Sequence, residues 1–199
     1  MSNLTLITTL YTLEPVLVCI TRLSPSKLII LTEEGAVDKK AQAEQMLEAT
    51  FGKVIGIEKL ITSLYDPVRV AQDVADAIEK EHDWGNQVII NVSGGRKPQA
   101  FGTLFGAYAR SEMVKRVVYV TEEDNFIIDF PLLSFNISPT KKAILELIKQ
   151  GETTVTTIAT KVGISRGMAY NHIRELKGMG YISDEDSFSI TDSGKLAVI

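Results

Sequence analysis

The sequence predicts an α/β fold class: a Rossmann-like, mostly parallel sheet with a closing antiparallel hairpin, followed by a C-terminal winged helix-turn-helix. Three observations predict it. Short apolar runs alternate with helical patterns of about 10–15 residues, as βαβ units require. The run Val88-Ile89-Ile90-Asn91-Val92-Ser93-Gly94-Gly95-Arg96-Lys97-Pro98 passes from strand to glycine turn to helix start. From Ser138 onward, three helical patterns precede two short strand patterns.

The elements follow in order. Leu4 to Leu10 alternates threonine with leucine and isoleucine and reads as a strand. Glu14 to Leu23 is a short apolar helix, closed by Ser24-Pro25-Ser26. Lys27 to Thr32 is a continuous apolar run, as expected of a buried parallel strand. A helix from about Asp38 to Thr50 would turn Ala43, Met46, Leu47 and Phe51 inward. Lys53 to Ile61 is a less regular strand. Asp66-Pro67 starts a helix with proline at its first position, running to about His82 on Val70, Val74, Ala77 and Ile78. After the strand Gln87 to Val92 comes a helix, Gln99 to Arg110, carrying Phe101, Leu104, Phe105 and Tyr108. Val117 to Thr121 and Phe126 to Leu133 form the hairpin through Glu122-Glu123-Asp124-Asn125. Gly102 and Gly106 within a helix point to close helix packing, with a dimer interface as a candidate.

Ser134-Phe135-Asn136-Ile137 joins the halves and divides the chain into domains 1–134 and 135–199. In the second, Ser138 caps a helix that begins at Pro139, and Gly151 ends it. Thr153 or Thr154 opens the next helix, and Gly163 turns it toward a third, capped by Ser165. Ala169, Ile173 and Leu176 lie on one face of that helix. Arg166, Tyr170, Asn171 and Arg174 lie on the other. Two strands around the acidic tip Ser183 to Ser187 make a wing, and a short helix follows Thr191.

Composition bounds the function. The chain has 199 residues, 45% hydrophobic and 23% charged, as soluble globular proteins do. No apolar run reaches the ~20 residues that span a bilayer. No basic segment precedes the first apolar run, so a cytoplasmic protein without membrane contact is expected. The single cysteine, Cys19, is expected to be a buried small hydrophobe. It makes no ligand cluster with His82 or His172, so neither a metal nor a cofactor is expected. Net charge is −4. Residues 136–199 hold eight Lys/Arg against seven Asp/Glu, and the remainder thirteen against eighteen. DNA contact would therefore rest on a local patch.

The glycine turn carries the chemistry. Glycines allow close approach of the backbone to a ligand. A helix start presents free N–H groups and a positive dipole end. Arg96 and Lys97 add full charges, so Ser93, Gly94, Gly95, Arg96 and Lys97 suit a phosphate. Ligands of open α/β sheets bind beyond the carboxyl ends of the strands, where strand order reverses. The loop Thr8, Thr9, Leu10 and Tyr11 fits the same place. Its hydroxyls, with that of Ser93, could bond phosphate or ribose, and Tyr11 could stack on a base.

Two resemblances add to this. The run Ile164 to Ile182, with its His172-Ile173 and closing Gly180-Tyr181-Ile182, resembles the winged helix-turn-helix of small prokaryotic regulators. That resemblance implies double-stranded DNA in contact with Ser165, Arg166, Tyr170, Asn171 and Arg174, while the acidic wing departs from the common basic one. The Ser93–Lys97 turn, the threonine loop and the winged helix together resemble the CRISPR-associated Rossmann fold (CARF) proteins, in particular regulators that fuse this domain to a winged helix. Arginine at the fourth position of the turn departs from the family's usual Thr-Gly-Gly-Thr-Lys. The resemblance implies a homodimer that binds a cyclic oligoadenylate, cyclic tetra-adenylate first, in a shared two-fold pocket, and a transcription regulator rather than an enzyme. A ring nuclease, and a repressor responding to another nucleotide or a sugar phosphate, stay open as alternatives.

Overall fold

The computed structural model describes residues 3–34, 39–134, 137–183 and 188–198. The chain forms two compact units, Met1–Phe130 and Pro131–Ile199. The first unit comprises β1 (Leu4–Thr9), α1 (Glu14–Leu23), β2 (Lys27–Thr32), α2 (Lys39–Phe51), β3 (Gly56–Ile61), α3 (Pro67–Asp83), β4 (Gln87–Asn91), α4 (Lys97–Ala109), β5 (Val114–Val120) and β6 (Ile127–Phe130). The sheet order is β3-β2-β1-β4-β5-β6. Its first five strands run parallel, and β6 pairs antiparallel with β5. Strand order reverses between β1 and β4, which are neighbours, with Thr8 opposite Asn91. The expected mostly parallel sheet with an antiparallel edge is the fold of this unit.

Side-chain alternation distributes the core over both faces. Leu6, Leu28, Ile30, Ile89 and Val118 pack with Val16, Cys19 and Ile20 of α1 and Leu47 of α2. Thr5, one residue out of phase with Leu6, donates its hydroxyl to Glu81 of α3 at 2.7 Å. Thus α3 covers the opposite face, and α4 packs beside it against β1, β4 and β5. Cys19 is fully buried, and burial pushes its thiol up to about 11.

Several expectations are corrected. Met46 is 57% exposed. The inward row of α2 is Ala43 and Leu47 with the polar Glu44, which accepts from Thr32 at 2.6 Å and pairs with Lys59 at 3.0 Å. Residues 53–55 turn out of α2, with the Val54 and Ile55 N–H groups on the Phe51 carbonyl, so β3 starts only at Gly56. β6 ends before Pro131, which has no N–H to give the ladder. In α4, Phe101 and Phe105 are 55% and 49% exposed. The buried face is Gln99, Gly102, Thr103, Gly106, Ala107 and Tyr108. A Cβ at Gly102 would lie 2.6 Å from Val70 Cβ, and one at Gly106 2.9 Å from Val74 Cβ. These glycines close α4 onto α3 of the same chain, not onto a second subunit.

The second unit comprises α5 (Pro139–Lys149), α6 (Val155–Val162), α7 (Arg166–Gly178), β7 (Ile182–Ser183), β8 (Ser189–Ile190) and α8 (Asp192–Ala197). The Ser138 hydroxyl accepts from Lys141 N–H and that of Ser165 from Met168 N–H, so both serine caps form. Thr154 stands at the N-cap of α6 without a side-chain cap bond. Ile144, Leu145, Ile158, Ala169, Ile173, Leu176 and Tyr181 make one core. β7 and β8 pair antiparallel as the wing. Residues 184–187 of the acidic tip and 135–136 of the joining segment lie outside the described residues.

Candidate functional site

The site at the carboxyl ends of β1 and β4 is built from one buried asparagine outward. Asn91 ends β4 and is fully buried. Its Nδ2 donates to Thr8 Oγ1 at 3.0 Å, and its Oδ1 accepts from the Ser93 N–H at 3.1 Å and from the Ser93 hydroxyl. The Ser93 hydroxyl also accepts from Val120 N–H at 2.7 Å. Thr8 donates to the Thr9 carbonyl at 2.9 Å, and the Thr9 hydroxyl accepts from Gly94 N–H at 3.1 Å. One asparagine thus fastens the ends of β1, β4 and β5 together. Unaided sequence reading passes over Asn91. Its signal is a polar amide closing an otherwise apolar run.

These bonds give several of the expected ligand residues partners within the chain. Thr8 and Thr9 are fully buried, and Leu10 is 1% exposed. Their side chains shape the turn. The Ser93 hydroxyl also has two partners within the chain, while Ser93 itself is partly exposed. What faces outward is Tyr11, 51% exposed, together with the exposed Arg96 and Lys97.

The glycines are required by contact. A Cβ at Gly94 would lie 2.8 Å from the Thr9 carbonyl and 3.1 Å from Tyr11 N. Gly95 has φ +77°, a left-handed conformation that glycine adopts without strain. The helix that follows has no side-chain cap. The N–H groups of Gly95, Arg96, Lys97 and Gln99 have no acceptor among the described residues. Four free donors and two cations at a helix start make an anion-binding concavity. Arg96 rests over the Tyr65 ring at 5.8 Å. Tyr65, 64% exposed, sits in the loop after β3 at the same end of the sheet.

A cleft of about 420 Å³ opens beside the turn. Its lining includes Tyr11 and Glu14 after β1, Ser93 to Gly95 of the turn, and Glu122 after β5. Such a volume admits a nucleoside-sized group. Glu122 accepts the Tyr119 hydroxyl at this rim. Beneath the turn lies Gln99, fully buried, with neither amide atom hydrogen-bonded. A buried unpaired polar atom costs about 1–3 kcal/mol.

In the second unit the outer face of α7 carries the predicted side chains. Arg166, Tyr170, Asn171 and Arg174 are exposed, while Ala169, Ile173 and Leu176 are buried. Arg166 lies over the Tyr170 ring at 5.6 Å, and Arg174 donates to Asn171 Oδ1 at 3.2 Å. His172 stands 3.5 Å from Glu175, which Lys141 holds at 3.2 Å. The hydrogen bond from Lys141, with the nearby His172, keeps the Glu175 carboxyl below its ordinary range. Among the described residues no group of three or more His, Cys, Asp or Glu could hold a metal ion. No helix among them is long and apolar enough to cross a membrane.

Residues 6–125 match the family model described as HFX_2341-like, N-terminal. The chain belongs to the HFX_2341-like family. Residues 138–184 of this HFX_2341-like protein match the helix-turn-helix of bacterial regulatory proteins of the arsR family. No curated protein sequence matches. Among solved structures, it is similar to Enterococcus italicus Csm6 bound to cyclic hexa-2′-fluoro-hexa-dAMP. That pair shares 12% identity over 89% of this chain and 54% of the other, with TM-score 0.53. A type III CRISPR defence DNA nuclease activated by cyclic oligoadenylate is similar at 13% identity, over 86% of this chain and 33% of the other, with TM-score 0.50. Protein VC1899 from Vibrio cholerae is similar at 12% identity, over 98% of this chain and 64% of the other, with TM-score 0.50. The chain thus spans between one third and two thirds of those proteins. These likenesses are of fold, and the helix-turn-helix follows the α/β unit as the sequence resemblance implies.

Proposed function

We propose that this protein is a transcription regulator whose DNA affinity answers to a cyclic oligoadenylate, with cyclic tetra-adenylate the first candidate. Residues 1–134 act as sensor and 135–199 as DNA reader. The observation that carries the reading is the Ser93–Lys97 turn: free backbone donors and two cations at the point of strand reversal, in a chain that also carries an arsR-type helix-turn-helix. The cyclic oligoadenylates named for two similar structures support the choice of ligand.

A homodimer completes the site. Lys97, Phe101 and Phe105 are exposed at four-residue spacing along α4. A two-fold axis along this row buries the phenylalanines and brings two copies of the cationic turn to one ligand. A ring of several phosphates suits such a pair. Binding then shifts the sensor dimer and, by linkage, the spacing of the two α7 helices. Arg166, Tyr170, Asn171 and Arg174 contact duplex DNA in the major groove, with Ser165 on the phosphate backbone.

Calorimetric titration with cyclic tetra-adenylate, with AMP and linear tetra-adenylate as controls, tests the reading. One ligand bound per dimer, with AMP inert, supports it. AMP binding as well as the ring transfers the site to a mononucleotide-responsive repressor. Linear products after incubation make the protein a ring nuclease.

A further inference from the structure

Gln99 occupies the third position of α4, two residues beyond Lys97. It is fully buried, yet neither its amide nitrogen nor its oxygen has a partner. Its carboxamide lies directly under the turn, because a Cβ built on Gly95 would stand 2.7 Å from Gln99 Oε1 and 3.1 Å from Thr9 Cβ. Glutamine at the third helical position is also where a capping box reaches back to the N-cap N–H. Here the N-cap is Arg96, whose N–H has no acceptor among the described residues. A cap is in place but not closed. Buried polar groups in native proteins are almost always paired, so an unpaired carboxamide under this turn calls for a partner.

We propose that Gln99 is a ligand-binding and sensing residue of the phosphate turn. When a phosphate group sits on the free amides of Gly95 and Lys97, Gln99 Oε1 takes the Arg96 N–H and its Nε2 donates to a phosphate oxygen. The anion and the glutamine then finish the helix start together. The unpaired carboxamide makes the empty turn unfavourable, and occupancy relieves it. This deepens the phosphate reading above and rests on it.

The test uses the full chain. The Gln99 side-chain NH₂ resonances are assigned in the wild type by through-bond connectivity to the Gln99 backbone and followed as cyclic tetra-adenylate, and separately pyrophosphate, is added. The expected result is a large shift of that NH₂ pair with either ligand, at least tenfold weaker binding by Gln99→Met, and a higher melting temperature of ligand-free Gln99→Met. Wild-type affinity in Gln99→Met, or a lowered melting temperature without ligand, means the amide is already satisfied by internal water and overturns the proposal. If Gln99→Met fails to fold, the wild-type NH₂ shift decides. If cyclic tetra-adenylate does not bind wild type, the regulator reading falls and the pyrophosphate arm decides Gln99. Unmoved Gln99 resonances at saturating pyrophosphate, or no binding of either anion, overturn the proposal.

Discussion

The hydroxyl of Tyr181 grips the backbone of Ser134 from both sides, donating to its carbonyl at 2.9 Å and accepting from its N–H. Tyr181 is fully buried between α7 and β7. Its own N–H closes α7 on the Leu176 carbonyl at 2.9 Å, and its carbonyl accepts from Thr191 N–H at 3.0 Å. The segment after β6 is thereby tied to the base of the wing. Tyr181→Phe removes only the hydroxyl. Loss of a buried hydrogen bond costs about 1–3 kcal/mol, and each kcal/mol shifts the melting point of a domain this size by about 4–8 °C. The melting transition of the second unit should fall accordingly. Ligand-induced change in DNA affinity should shrink with it, while ligand affinity stays at the wild-type value.

Gly102 and Gly106 set up a contest between helix propensity and packing. Alanine in a helix interior gains about 1 kcal/mol over glycine. Overpacking costs about 1–3 kcal/mol. Here the added Cβ at Gly102 meets Val70 at 2.6 Å and the Pro67 carbonyl at 2.7 Å, and neither can move freely. Packing wins. Gly102→Ala should lower the urea midpoint without changing the slope. A raised midpoint would show that α3 and α4 part more easily than this contact allows.

How far the sequence could be read follows from these contacts. Buried parallel strands are continuous apolar runs, so β2 and β4 are legible, and β1 is legible from its threonine, leucine and isoleucine. The turn was legible because glycine and cations together at a helix start have few other uses. The inner face of α4 was not. Both faces of that helix are apolar, and only the packing against α3 decides that glycines go in and Phe101 and Phe105 stay out. Thr8, Thr9 and Ser93 look like ligand groups in sequence. The β1–β4 register places Asn91 opposite Thr8, and that pairing turns them into framework. Gln99 carries no sequence signal at all, since its oddity is the absence of a partner.

Arg96 and Lys97 are exposed, so their loss should spare the fold. Each charge-assisted hydrogen bond contributes about 1.5–3 kcal/mol. Arg96→Ala with Lys97→Ala should therefore weaken cyclic tetra-adenylate binding by roughly 100-fold or more at an unchanged melting temperature. Unchanged affinity, read by calorimetry, would remove the turn from the ligand site.

On α7, Arg174 is held by Asn171 and Arg166 by Tyr170, so both guanidinium groups are pre-positioned on one exposed face. Arg174→Ala should cost about 1–3 kcal/mol if it reads a base. It should instead lower the salt slope by about one if it holds a phosphate. Binding to operator and non-operator duplexes across a salt series separates the two, and no loss in either would place DNA on another surface.

Glu81 anchors the opposite end of the sheet. Lys27 donates to it at 2.6 Å, Thr5 at 2.7 Å and Asn86 at 2.9 Å. Lys27 is shared with Glu58 at 2.8 Å and, with Lys80, flanks the Trp84 ring at 5.0 and 4.9 Å. Burial pushes the Glu81 carboxyl up, but the hydrogen bonds from Lys27, Thr5 and Asn86 outweigh it and hold it below 4.5. Burial pushes the Lys27 ammonium down, but its hydrogen bonds to Glu58 and Glu81 outweigh it and hold it above its ordinary range. A carboxyl lowered by folding stabilises the protein above its unfolded value and loses that stability as pH falls through the folded value. Unfolding free energy should therefore be level from neutral pH down to about 4.5 and then drop steeply, as far as this carboxyl governs it. Glu81→Gln keeps the shape and removes the charge, so it should lower stability at pH 7 and flatten the acid limb. Glu81→Ala should cost about 3 kcal/mol at pH 7, because it strands the Lys27 ammonium with Glu58 alone. Urea unfolding of the three proteins at pH 7 and pH 3.5 reads both effects. Equal pH dependence in wild type and Glu81→Gln would move the acid sensitivity to Glu58, the other carboxylate on Lys27.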